Sequence, residues 1–569
     1  MKKIILSISY VLIIALSNAQ TPLFQWSTSF GGSSDDYGHA ITTDASGNVY
    51  TTGIFEGTVD FDPGSGTTSF TSAGSNDVFI SKFDAAGNFI WAKHVGGTGL
   101  DFGGAVSAGA SGDIYISGYY QGTVDFDPGA AVFNLTSAGV LDIFILKLDA
   151  SGNFIWAKSM GGPGDDGVNS MVIDASENIY TTGIFNDSAD FDPGPGVTKL
   201  FSAGNNEVFV SKLDVSGNFI WAKRMGGTGS DVGYSVTLDV SGDVCISGNF
   251  TNTADFDPGP GTVNLTAPAG TIDMFVSKLD TSGNLIWVKG IGGTAHVNAI
   301  AITTDLSGNV YTTGNYGGTA DFDPGAGVFN LTCGGTTNVF ISKLDASGNF
   351  VWAKNIWTAY YASGTSIALD ALNNIYTTGY FYGPTDFDPG AGVLNLTPPG
   401  INGDEFISKL DSLGNFVYAL QFGDTADESG YSLHLDAANN IYVTGYFSGT
   451  TDFDPGAGIS NRTTVGGEDI FIQKLSDPIT TNISAYTSES ALTIFPNPAN
   501  GVFNIVLPSS QSKNVSVEIY NNTGALIYAK QYFEIGSAVI DLSEDSRGIY
   551  FVKIMSDDKI ISTKKIIRQ

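Results

Sequence analysis

The sequence predicts an all-β protein: a seven-bladed β-propeller of four-stranded blades, followed by a small C-terminal β-sandwich. The first observation is a pentapeptide, Asp-Phe-Asp-Pro-Gly, which recurs seven times at intervals of 65 or 66 residues, beginning at Asp60, Asp125, Asp190, Asp255, Asp321, Asp386 and Asp452. The second is a tryptophan with the same period, replaced by Tyr418 in one copy, at Trp26, Trp91, Trp156, Trp221, Trp287 and Trp352. Such a repeat indicates one architecture built from stacked modules.

Each repeat is predicted to contain four strands, which we call A, B, C and D. They are typified by Gly233–Asp239 for A, Asn178–Phe185 for B, Val208–Asp214 for C and Asn218–Met225 for D. Turns of the type Asp-Ala-Ser-Gly-Asn connect A to B and C to D, because Asp bonds nearby amides and Gly accepts positive φ. Four such strands cannot bury their apolar faces alone, whereas seven copies arranged around an axis can.

The order of the segments predicts that the two ends of the repeat region close a ring. The region opens with Leu23–Phe30, which carries Trp26 and is a D strand without its own A, B and C. The last repeat supplies A, B and C and ends near Asp477 without a D strand. We therefore expect the N-terminal strand to complete the seventh blade, which leaves no unpaired blade and argues against an open solenoid.

Two repeated segments carry a family resemblance. Asp-Ala-Ser-Gly-Asn-Val-Tyr at Asp44–Tyr50 and Phe-Ile-Ser-Lys-Leu-Asp-Ala-Ser-Gly-Asn at Phe340–Asn349 are similar to the bacterial β-propeller repeat called SBBP. The resemblance spans Phe24 to Leu475 and implies the propeller fold. It implies little about function, because that family mostly has no assigned activity.

Composition excludes several classes of function. The net charge of -32 opposes binding to DNA, RNA or anionic membranes, because these partners require Lys and Arg opposite their phosphates. Cys245 and Cys333 are the only cysteines, which excludes a disulfide framework and a Cys-rich zinc site. No phosphate loop, nucleophile elbow or zinc motif is present, and the histidines form no paired motif at His39, His94, His296 and His434.

The N-terminus is predicted to be a secretory signal peptide covering residues 1–19. The positive segment Met1–Lys3 precedes the apolar run Ile4–Leu16 and the small-residue cleavage site Ser17–Ala19. A membrane anchor is the alternative, but this run is shorter than the ~18 apolar residues that a span needs, and no later stretch is long enough. We expect a mature chain from Gln20, with the propeller over residues 20–478 and a linker over 479–491.

The last domain, residues 492–569, is predicted to be a β-sandwich with strands at Val502–Leu507, Val515–Tyr520, Ala525–Tyr532, Ala538–Leu542 and Ile549–Met555. Its motifs resemble the type A C-terminal sorting domain of type IX secretion substrates, at Ile494–Pro498, Gly501, Ile519–Asn521, Arg547–Tyr550 and Lys564–Ile567. The resemblance implies one partner, the type IX secretion machinery, and transport across the outer membrane to the cell surface or the extracellular space. A C-terminal adhesion or carbohydrate-binding sandwich is the alternative.

Strand direction predicts which face of the disc carries the function. Because the strands alternate in direction, the short A–B and C–D turns lie on one face, and the D–A loops and long B–C connections lie on the other. We call the second face the loop-rich face. Since it has the longer and more varied connections, we expect a ligand to bind there.

The Asp-Phe-Asp-Pro-Gly loops contain candidate calcium ligands, because hard cations take several oxygen ligands. The candidates are Asp60, Asp62, Asp125, Asp127, Asp190, Asp192, Asp255, Asp257, Asp321, Asp323, Asp386, Asp388, Asp452 and Asp454. The alternative is structural: the first Asp caps a turn, Phe anchors the loop and Pro-Gly sets the bend. The incomplete ligand set favours the structural interpretation, so no cofactor is required and calcium is an additional hypothesis.

The D–A loops carry the largest asymmetry of the repeat. An acid recurs at Asp36, Asp101, Asp166, Asp231 and Glu428, whereas Val297 and Ala362 stand at the equivalent positions. Before Ala362 an aromatic segment replaces the usual Gly-Gly-Thr-Gly. The candidate ligand-binding residues are therefore Trp357, Tyr360, Tyr361 and Tyr382, because aromatic rings stack on sugars. The alternative is that these rings only fill the space of the lost loop.

These patterns predict an exported, non-catalytic propeller that binds a glycan, a protein or a cation on its loop-rich face. Seven-fold recurrence argues against catalysis, because a catalytic site must break the symmetry of the ring. A secreted polysaccharide lyase or glycoside hydrolase is the alternative, since the many carboxylates include pairs of suitable spacing. A purely structural surface-layer or adhesion component is a third possibility.

Overall fold

The computed structural model describes residues 22–477, 493–495, 500–506, 514–521, 526–533, 537–543, 545–556 and 559–568. Every regular element among them is a β-strand, which confirms the all-β prediction. The chain divides into two compact units, residues 1–478 and 479–569. The predicted signal peptide, the predicted linker and residues 496–498 of the sorting motif lie outside the described residues. Within the described part of the chain, no helix has the length and apolar character needed to cross a membrane.

Residues 22–477 form seven sheets, each with four core strands in the order A, B, C, D and all neighbours antiparallel. Numbered by their A strands, units 1 to 7 have A strands Tyr37–Thr43, Phe102–Ala108, Gly167–Ile173, Val232–Leu238, Val297–Thr304, Ala362–Leu369 and Glu428–Leu435. The B strands are Val49–Phe55, Ile114–Tyr120, Ile179–Asp190, Val244–Phe250, Val310–Tyr316, Ile375–Phe381 and Asn440–Phe447. The C strands are Asp77–Phe83, Asp142–Leu148, Lys199–Leu213, Asp273–Leu279, Asn338–Leu344, Asp404–Leu410 and Asp469–Ser476.

The D strands of units 1 to 6 follow their own C strands, at Phe89–Val95, Phe154–Met160, Phe219–Gly227, Leu285–Gly293, Phe350–Thr358 and Phe416–Phe422. The D strand of unit 7 is Leu23–Phe30, which pairs antiparallel with Asp469–Ser476 and places Ser27 opposite Gln473. Strand A of each unit contacts strand A of the next, and strand A of unit 7 contacts strand A of unit 1.

Each B–C connection on the loop-rich face contains a small hairpin. Outside unit 3 the paired segments are Thr58–Asp60 with Ser69–Thr71, Thr123–Asp125 with Asn134–Thr136, Thr253–Asp255 with Asn264–Thr266, Thr319–Asp321 with Asn330–Thr332, Thr385–Asp386 with Asn395–Leu396, and Thr450–Asp452 with Asn461–Thr463. In unit 3 the predicted strands Asn178–Phe185 and Val208–Asp214 are too short, because pairing continues past a bulge between Asn186 and Ser188.

The phenylalanine of each Asp-Phe-Asp-Pro-Gly loop anchors that connection in the core. Phe61 is fully buried, and its ring centroid lies 5.2 Å from that of Phe55 and 5.3 Å from those of Phe30 and Phe79. Phe30 belongs to unit 7 and the other three belong to unit 1. This core therefore lies between two units, as expected for sheets that cannot bury themselves alone.

The tryptophan of the D strand also joins neighbouring units. The indole N–H of Trp91 in unit 1 donates to the carbonyl of Ala150 in the C–D turn of unit 2 at 3.3 Å. Trp26 in unit 7 donates in the same way to Ala85 in unit 1 at 3.2 Å. The contact between units 7 and 1 thus has the same form as a contact between units that are consecutive in sequence.

The C-terminal unit packs two sheets around one core. The first contains Thr493–Phe495, Val502–Val506 and Ser537–Asp541. The second contains, in spatial order, Leu526–Phe533, Asn514–Asn521, Gly548–Ser556 and Lys559–Arg568. Buried residues from both sheets form a single cluster that includes Phe503, Ile540, Val517, Val552 and Ile566. The predicted strands are present, together with Thr493–Phe495 and Lys559–Arg568, which were not predicted.

Candidate functional site

A β-bulge interrupts strand A of every unit at the same place. In unit 1 the pairing with strand B passes from Gly38 to Ala40, so that His39 has no partner in the register. The corresponding residues of units 2 to 7 are Gly104, Asn169, Tyr234, Ile300, Thr365 and Tyr431. Because a bulge redirects a side chain, each unit presents one residue that does not follow the alternation of its strand.

The seven bulge residues line one cavity of about 340 Å³. The same cavity is lined by the residues that follow them in strand A, such as Ala40 and Ser432. Opposite each bulge, strand B has a glycine. A Cβ added at Gly53 would lie 1.9 Å from the carbonyl oxygen of Tyr37, so the close approach of the two backbones requires glycine. We call this cavity the central channel.

Half-buried aromatic side chains cluster around His39 and Tyr431, which line the channel, in units 1, 2, 6 and 7, and Tyr234 of unit 4 is a further half-buried ring in the lining. The ring of His39 stacks on Phe102 at a centroid distance of 4.3 Å, and Phe102 stacks on Tyr119 at 4.7 Å. Tyr446 contacts Tyr37 at 5.2 Å and Tyr431 at 5.4 Å. We call the following residues the aromatic arc: Tyr37, His39, Phe102, Tyr119, Tyr361, Tyr380, Tyr382, Tyr431 and Tyr446.

The unit 6 portion of the arc contains two of the four predicted ligand-binding residues. Tyr361 stacks on Tyr380 at 5.8 Å and meets Tyr382 edge-on at 6.0 Å. Trp357 and Tyr360 are 46% and 54% exposed, and within the described residues neither contacts another aromatic ring. The structure therefore brings Tyr361 and Tyr382 together and leaves the other two outside the arc.

A chain of hydrogen-bonded polar side chains, three amides and one hydroxyl, connects units 4 to 6. The amide of Asn249 donates to Asn298 at 2.7 Å, Asn298 donates to Asn315 at 3.0 Å, and Asn315 donates to Ser363 at 2.8 Å. We call these four residues the amide chain. Because each amide can both donate and accept, the chain links units 4, 5 and 6 through side-chain hydrogen bonds. Asn249, Asn315 and Ser363 are buried, and Asn298 is half-buried.

Acidic residues lie beside the aromatic arc. The hydroxyl of Tyr382 donates to Asp427 at 3.4 Å, and Asp427 also accepts the backbone amide of Gly403 at 2.9 Å. Burial raises the pKa of Tyr37, and its hydrogen bond to Glu468 raises that pKa further. Burial likewise raises the pKa of Glu468. The mouth thus combines ring faces with hydroxyl, amide and carboxyl groups.

His39 is the only histidine of the arc, and its environment favours the neutral ring. Its Nδ1 lies 3.0 Å from the carbonyl oxygen of Gly103, so Nδ1 carries the proton and donates. Desolvation lowers the pKa of His39 to about 4, because the charged form is poorly solvated among these strands and rings. At neutral pH the ring is therefore uncharged.

The Asp-Phe-Asp-Pro-Gly carboxylates hold their own loops. Asp60 Oδ1 accepts the backbone amides of Asp62 at 3.2 Å and Thr68 at 2.8 Å, and Asp62 Oδ1 accepts that of Gly64 at 2.8 Å. The same three bonds recur in the other six units. Among the described residues, no three His, Cys, Asp or Glu side chains are grouped so that they could hold a metal ion. These bonds account for the repeated motif structurally, and the calcium hypothesis stays a prediction.

Sequence reasoning missed the bulge residues and the amide chain, although one signal was available. Strand B repeats a glycine followed by a variable residue and then Phe or Tyr. The variable residues are Ile54, Tyr119, Ile184, Asn249, Asn315, Tyr380 and Tyr446. Five of these seven residues belong to the arc or the amide chain. A variable position inside an otherwise constant repeat therefore indicates where the candidate site lies.

Comparison with protein families agrees with the two resemblances. Residues 493–569 match the secretion system C-terminal sorting domain, and residues 25–53 match the β-propeller repeat. Both resemblances are confirmed. The sorting domain indicates export by type IX secretion, to the cell surface or the extracellular space.

More distant similarity extends over most of the chain. An uncharacterized WD repeat-containing protein of Acanthamoeba polyphaga mimivirus is 25% identical over 507 residues, covering 74% of this chain and 36% of that protein. The regulatory protein FlaEY of Caulobacter vibrioides is 23% identical over 145 residues, covering 26% of this chain and 15% of that protein. The match thus spans well under half the length of either relative. The crystal structure of Sqt1 from Chaetomium thermophilum aligns with a TM-score of 0.39 at 9% identity, covering 80% of this chain and 100% of that chain.

Proposed function

We propose that the seven sheets are the blades of one closed propeller and that the N-terminal strand completes the seventh blade. Three observations support this. Leu23–Phe30 pairs with strand C of unit 7. The A strands contact one another in sequence and from unit 7 back to unit 1. The channel is lined by the bulge residues of all seven units. In this arrangement the N-terminal strand pairs the otherwise free edge of strand C in unit 7.

We propose further that this exported propeller binds a saccharide at the channel mouth without transforming it. The observation that carries the proposal is the division of the mouth into an aromatic arc and an amide chain. Repeated units would place identical side chains around a ring, whereas here the nine rings of the arc come from units 1, 2, 6 and 7. The amide chain comes from units 4 to 6, where Tyr234 of unit 4 adds one further ring to the cavity lining. Saccharides fit this combination, because their C–H faces pack on aromatic rings and their hydroxyls bond to amides and carboxylates.

The predicted candidates enter this proposal unequally. Tyr361 and Tyr382 belong to the arc and are proposed to contact the ligand. Trp357 and Tyr360 are exposed on the same face but lie apart from the arc, so they serve as matched controls. The predicted signal peptide and the final location, released or attached to the cell surface, are also proposals that follow from export.

A glycan array probed with the purified exported protein tests the binding proposal. We expect one class of saccharide to bind, with at least a tenfold loss of affinity in Tyr431→Ala and in Tyr446→Ala and no loss in Tyr360→Ala. Equal binding by all three variants would contradict the assignment to the channel mouth. Cleavage of a bound polysaccharide would contradict the non-catalytic role and favour the lyase or hydrolase alternative.

A further inference from the structure

Pairs of buried acids lie where neighbouring units meet on the loop-rich face. In each pair one acid belongs to strand C of a unit, as its first residue except for Glu207, and the other lies at the start of strand A of the next unit or just before it. The pairs are Asp77 with Asp101, Asp142 with Asp166, Glu207 with Asp231, Asp404 with Glu428, and Asp469 with Asp36. All ten side chains are at most 3% exposed, although they belong to a residue class that is almost never buried without a partner.

Both acids of a pair contact the start of the same D–A loop. Between units 2 and 3, a Cβ added at Gly161 would lie 2.5 Å from Cγ of Asp142, and the amide of Gly162 donates to Asp166 at 2.7 Å. Between units 7 and 1, Gly31 lies against Asp469 and the amide of Gly32 donates to Asp36 at 2.7 Å. The carboxyl groups of each pair are therefore neighbours around two loop residues.

Three of these pairs contain a carboxyl oxygen that lacks a partner. Asp142 accepts a backbone amide on Oδ2 at 3.0 Å, Asp404 accepts the Gln421 amide on Oδ2 at 2.6 Å, and Asp469 accepts a backbone amide on Oδ2 at 2.9 Å. In each case the buried Oδ1 accepts no hydrogen bond from any described residue. Burying such an oxygen next to a second carboxyl group is unfavourable unless a positive charge or a proton accompanies it.

Three junctions depart from this pattern. Between units 4 and 5, Asp273 has no second acid, because Val297 replaces it. Between units 3 and 4, Arg224 places its Nη1 2.6 Å from Glu207, so a side-chain cation accompanies that pair. Between units 5 and 6, Asn338 and Ala362 replace both acids, and Trp357 stands where the other D–A loops begin with glycine. The D–A loop therefore begins with glycine wherever strand C carries the acid, and it begins with Trp357 where Asn338 replaces that acid. In the pair of Glu207 and Asp231, the positive charge of Arg224 already balances one carboxylate.

We propose that the pairs Asp142–Asp166, Asp404–Glu428 and Asp469–Asp36 each bind a hard divalent cation, for which Ca²⁺ is the best fit. The unpartnered ligand of each site is the Oδ1 of Asp142, Asp404 or Asp469. The oxygens of the second acid, Asp166, Glu428 or Asp36, also accept hydrogen bonds from the protein. Carboxylate oxygens, with backbone carbonyls or water, are the ligands that Ca²⁺ prefers. Each site has two buried acidic side chains, and a further acid lies close enough to raise the pKa of one of them: Asp165, Asp424 and Asp35, respectively. The bound cation would link strand C of one blade to the D–A loop of the next, including the junction of units 7 and 1.

This proposal is independent of saccharide binding and differs from the calcium hypothesis for the Asp-Phe-Asp-Pro-Gly loops. Asp→Asn substitutions, made either in the acid pairs or in the repeated loops, distinguish the two classes of calcium site. The test variant is Asp142→Asn, Asp404→Asn and Asp469→Asn combined. The matched control is Asp127→Asn, Asp257→Asn and Asp388→Asn combined, in three of the repeated loops.

The experiment titrates the full exported protein with Ca²⁺ alone after treatment with a chelator, and measures heat of binding and Tm. We expect three Ca²⁺ per chain and a Tm that rises with Ca²⁺ concentration, because a cation that binds only the folded state stabilises it. The control variant should behave like the wild type, and the test variant should lose both effects. If the triple variant fails to fold, Asp142→Asn alone should reduce the number of bound ions by one.

Two results would overturn the proposal. The first is no binding of Ca²⁺ by the wild type, which would mean that the pairs share protons instead. The second is binding that survives in the test variant and disappears in the control variant, which would assign calcium to the repeated loops.

Discussion

The backbone amide of Ile41 donates a hydrogen bond of 3.3 Å to the hydroxyl of Ser432, which lies 391 positions later in the chain. The same bond joins units that are consecutive in sequence, from Val236 to Ser170 at 3.2 Å and from Leu433 to Ser366 at 3.1 Å. Unit 1 therefore meets unit 7 through the contact that other neighbouring units use. This equivalence is the basis for proposing a closed ring.

Truncation of Phe30 should destabilise the propeller strongly. Phe30 lies in the N-terminal strand, is 4% exposed and packs against Phe61, Phe79 and Phe83 of unit 1. We expect Phe30→Ala to lower the free energy of unfolding by about 3–5 kcal/mol, because it removes a buried ring and leaves a cavity. Urea-induced unfolding measures the change.

Leu23 is the control for this prediction, since it belongs to the same strand but is 54% exposed. Leu23→Ala should change the free energy of unfolding by no more than about 0.5 kcal/mol. Equal effects of the two substitutions would mean that the strand does not pack against unit 1.

Replacement of Gly53 by alanine should also be costly. The added Cβ would lie 1.9 Å from the Tyr37 carbonyl oxygen, so strands A and B would have to move apart at the bulge. We expect a loss of about 1–3 kcal/mol of stability, as for other overpacked sites. Gly104→Ala, whose Cβ would lie 3.2 Å from the Phe102 ring and 3.3 Å from the Val168 carbonyl oxygen, needs only a small local shift and should cost much less. A tolerated Gly53→Ala would contradict the close backbone approach.

Removal of the Asn298 amide should break the amide chain at its centre. Asn298 accepts from Asn249 and donates to Asn315, so Asn298→Ala leaves both without these partners. We expect a loss of about 1–3 kcal/mol of stability and weaker binding of the saccharide found on the array. Asn330→Ala, at an exposed position of a B–C hairpin, should leave both properties unchanged.

His39 and His434 should stay neutral well below the pH at which a free histidine titrates. Burial lowers the pKa of each to about 4. Between that value and the ordinary pKa of about 6.5, the unfolded chain binds more protons than the folded chain. Their contribution to stability is therefore complete above about pH 6.5 and is lost as the pH falls through 4.

Ring NMR shifts of the histidines, followed between pH 7 and pH 4, test this prediction directly. The shifts of His39 and His434 should remain those of a neutral imidazole at pH 5. Titration of either ring near its ordinary pKa would show that the channel mouth is more hydrated than the packing of His39 indicates. NMR is preferable to a curve of stability against pH. Burial raises the pKa of buried acids such as Asp36 and Asp166, so their contribution to stability falls as the pH rises, opposite to that of the two histidines.

The sequence was most informative where a residue serves the same role in every unit. The period of Asp60 and its copies predicted the units, and the order of segments predicted that Leu23–Phe30 would act as a D strand. These inferences succeed because repeated packing requires repeated residues. The sorting domain could be predicted for a similar reason, since its motifs occur in a fixed order.

The candidate site was less predictable, because it depends on departures from the repeat. The bulges that expose His39 and Tyr431 shift the register by one residue, and the alternation of apolar and polar residues does not reveal such a shift. Asn249, Asn298 and Asn315 are distant in sequence and become one hydrogen-bonded chain only when units 4 and 5 pack together. The sequence analysis identified the recurring acids of the D–A loops but not their strand C partners, because those partners belong to the preceding unit.

Hydrogen–deuterium exchange of the N-terminal strand tests the closed ring most directly. The amides of Leu23–Phe30 should exchange as slowly as those of Phe89–Val95, the equivalent D strand of unit 1, because both pair with a C strand along their length. Rapid exchange of Leu23–Phe30, with Phe89–Val95 still protected, would show that the first strand does not complete the seventh unit and would contradict the closed propeller.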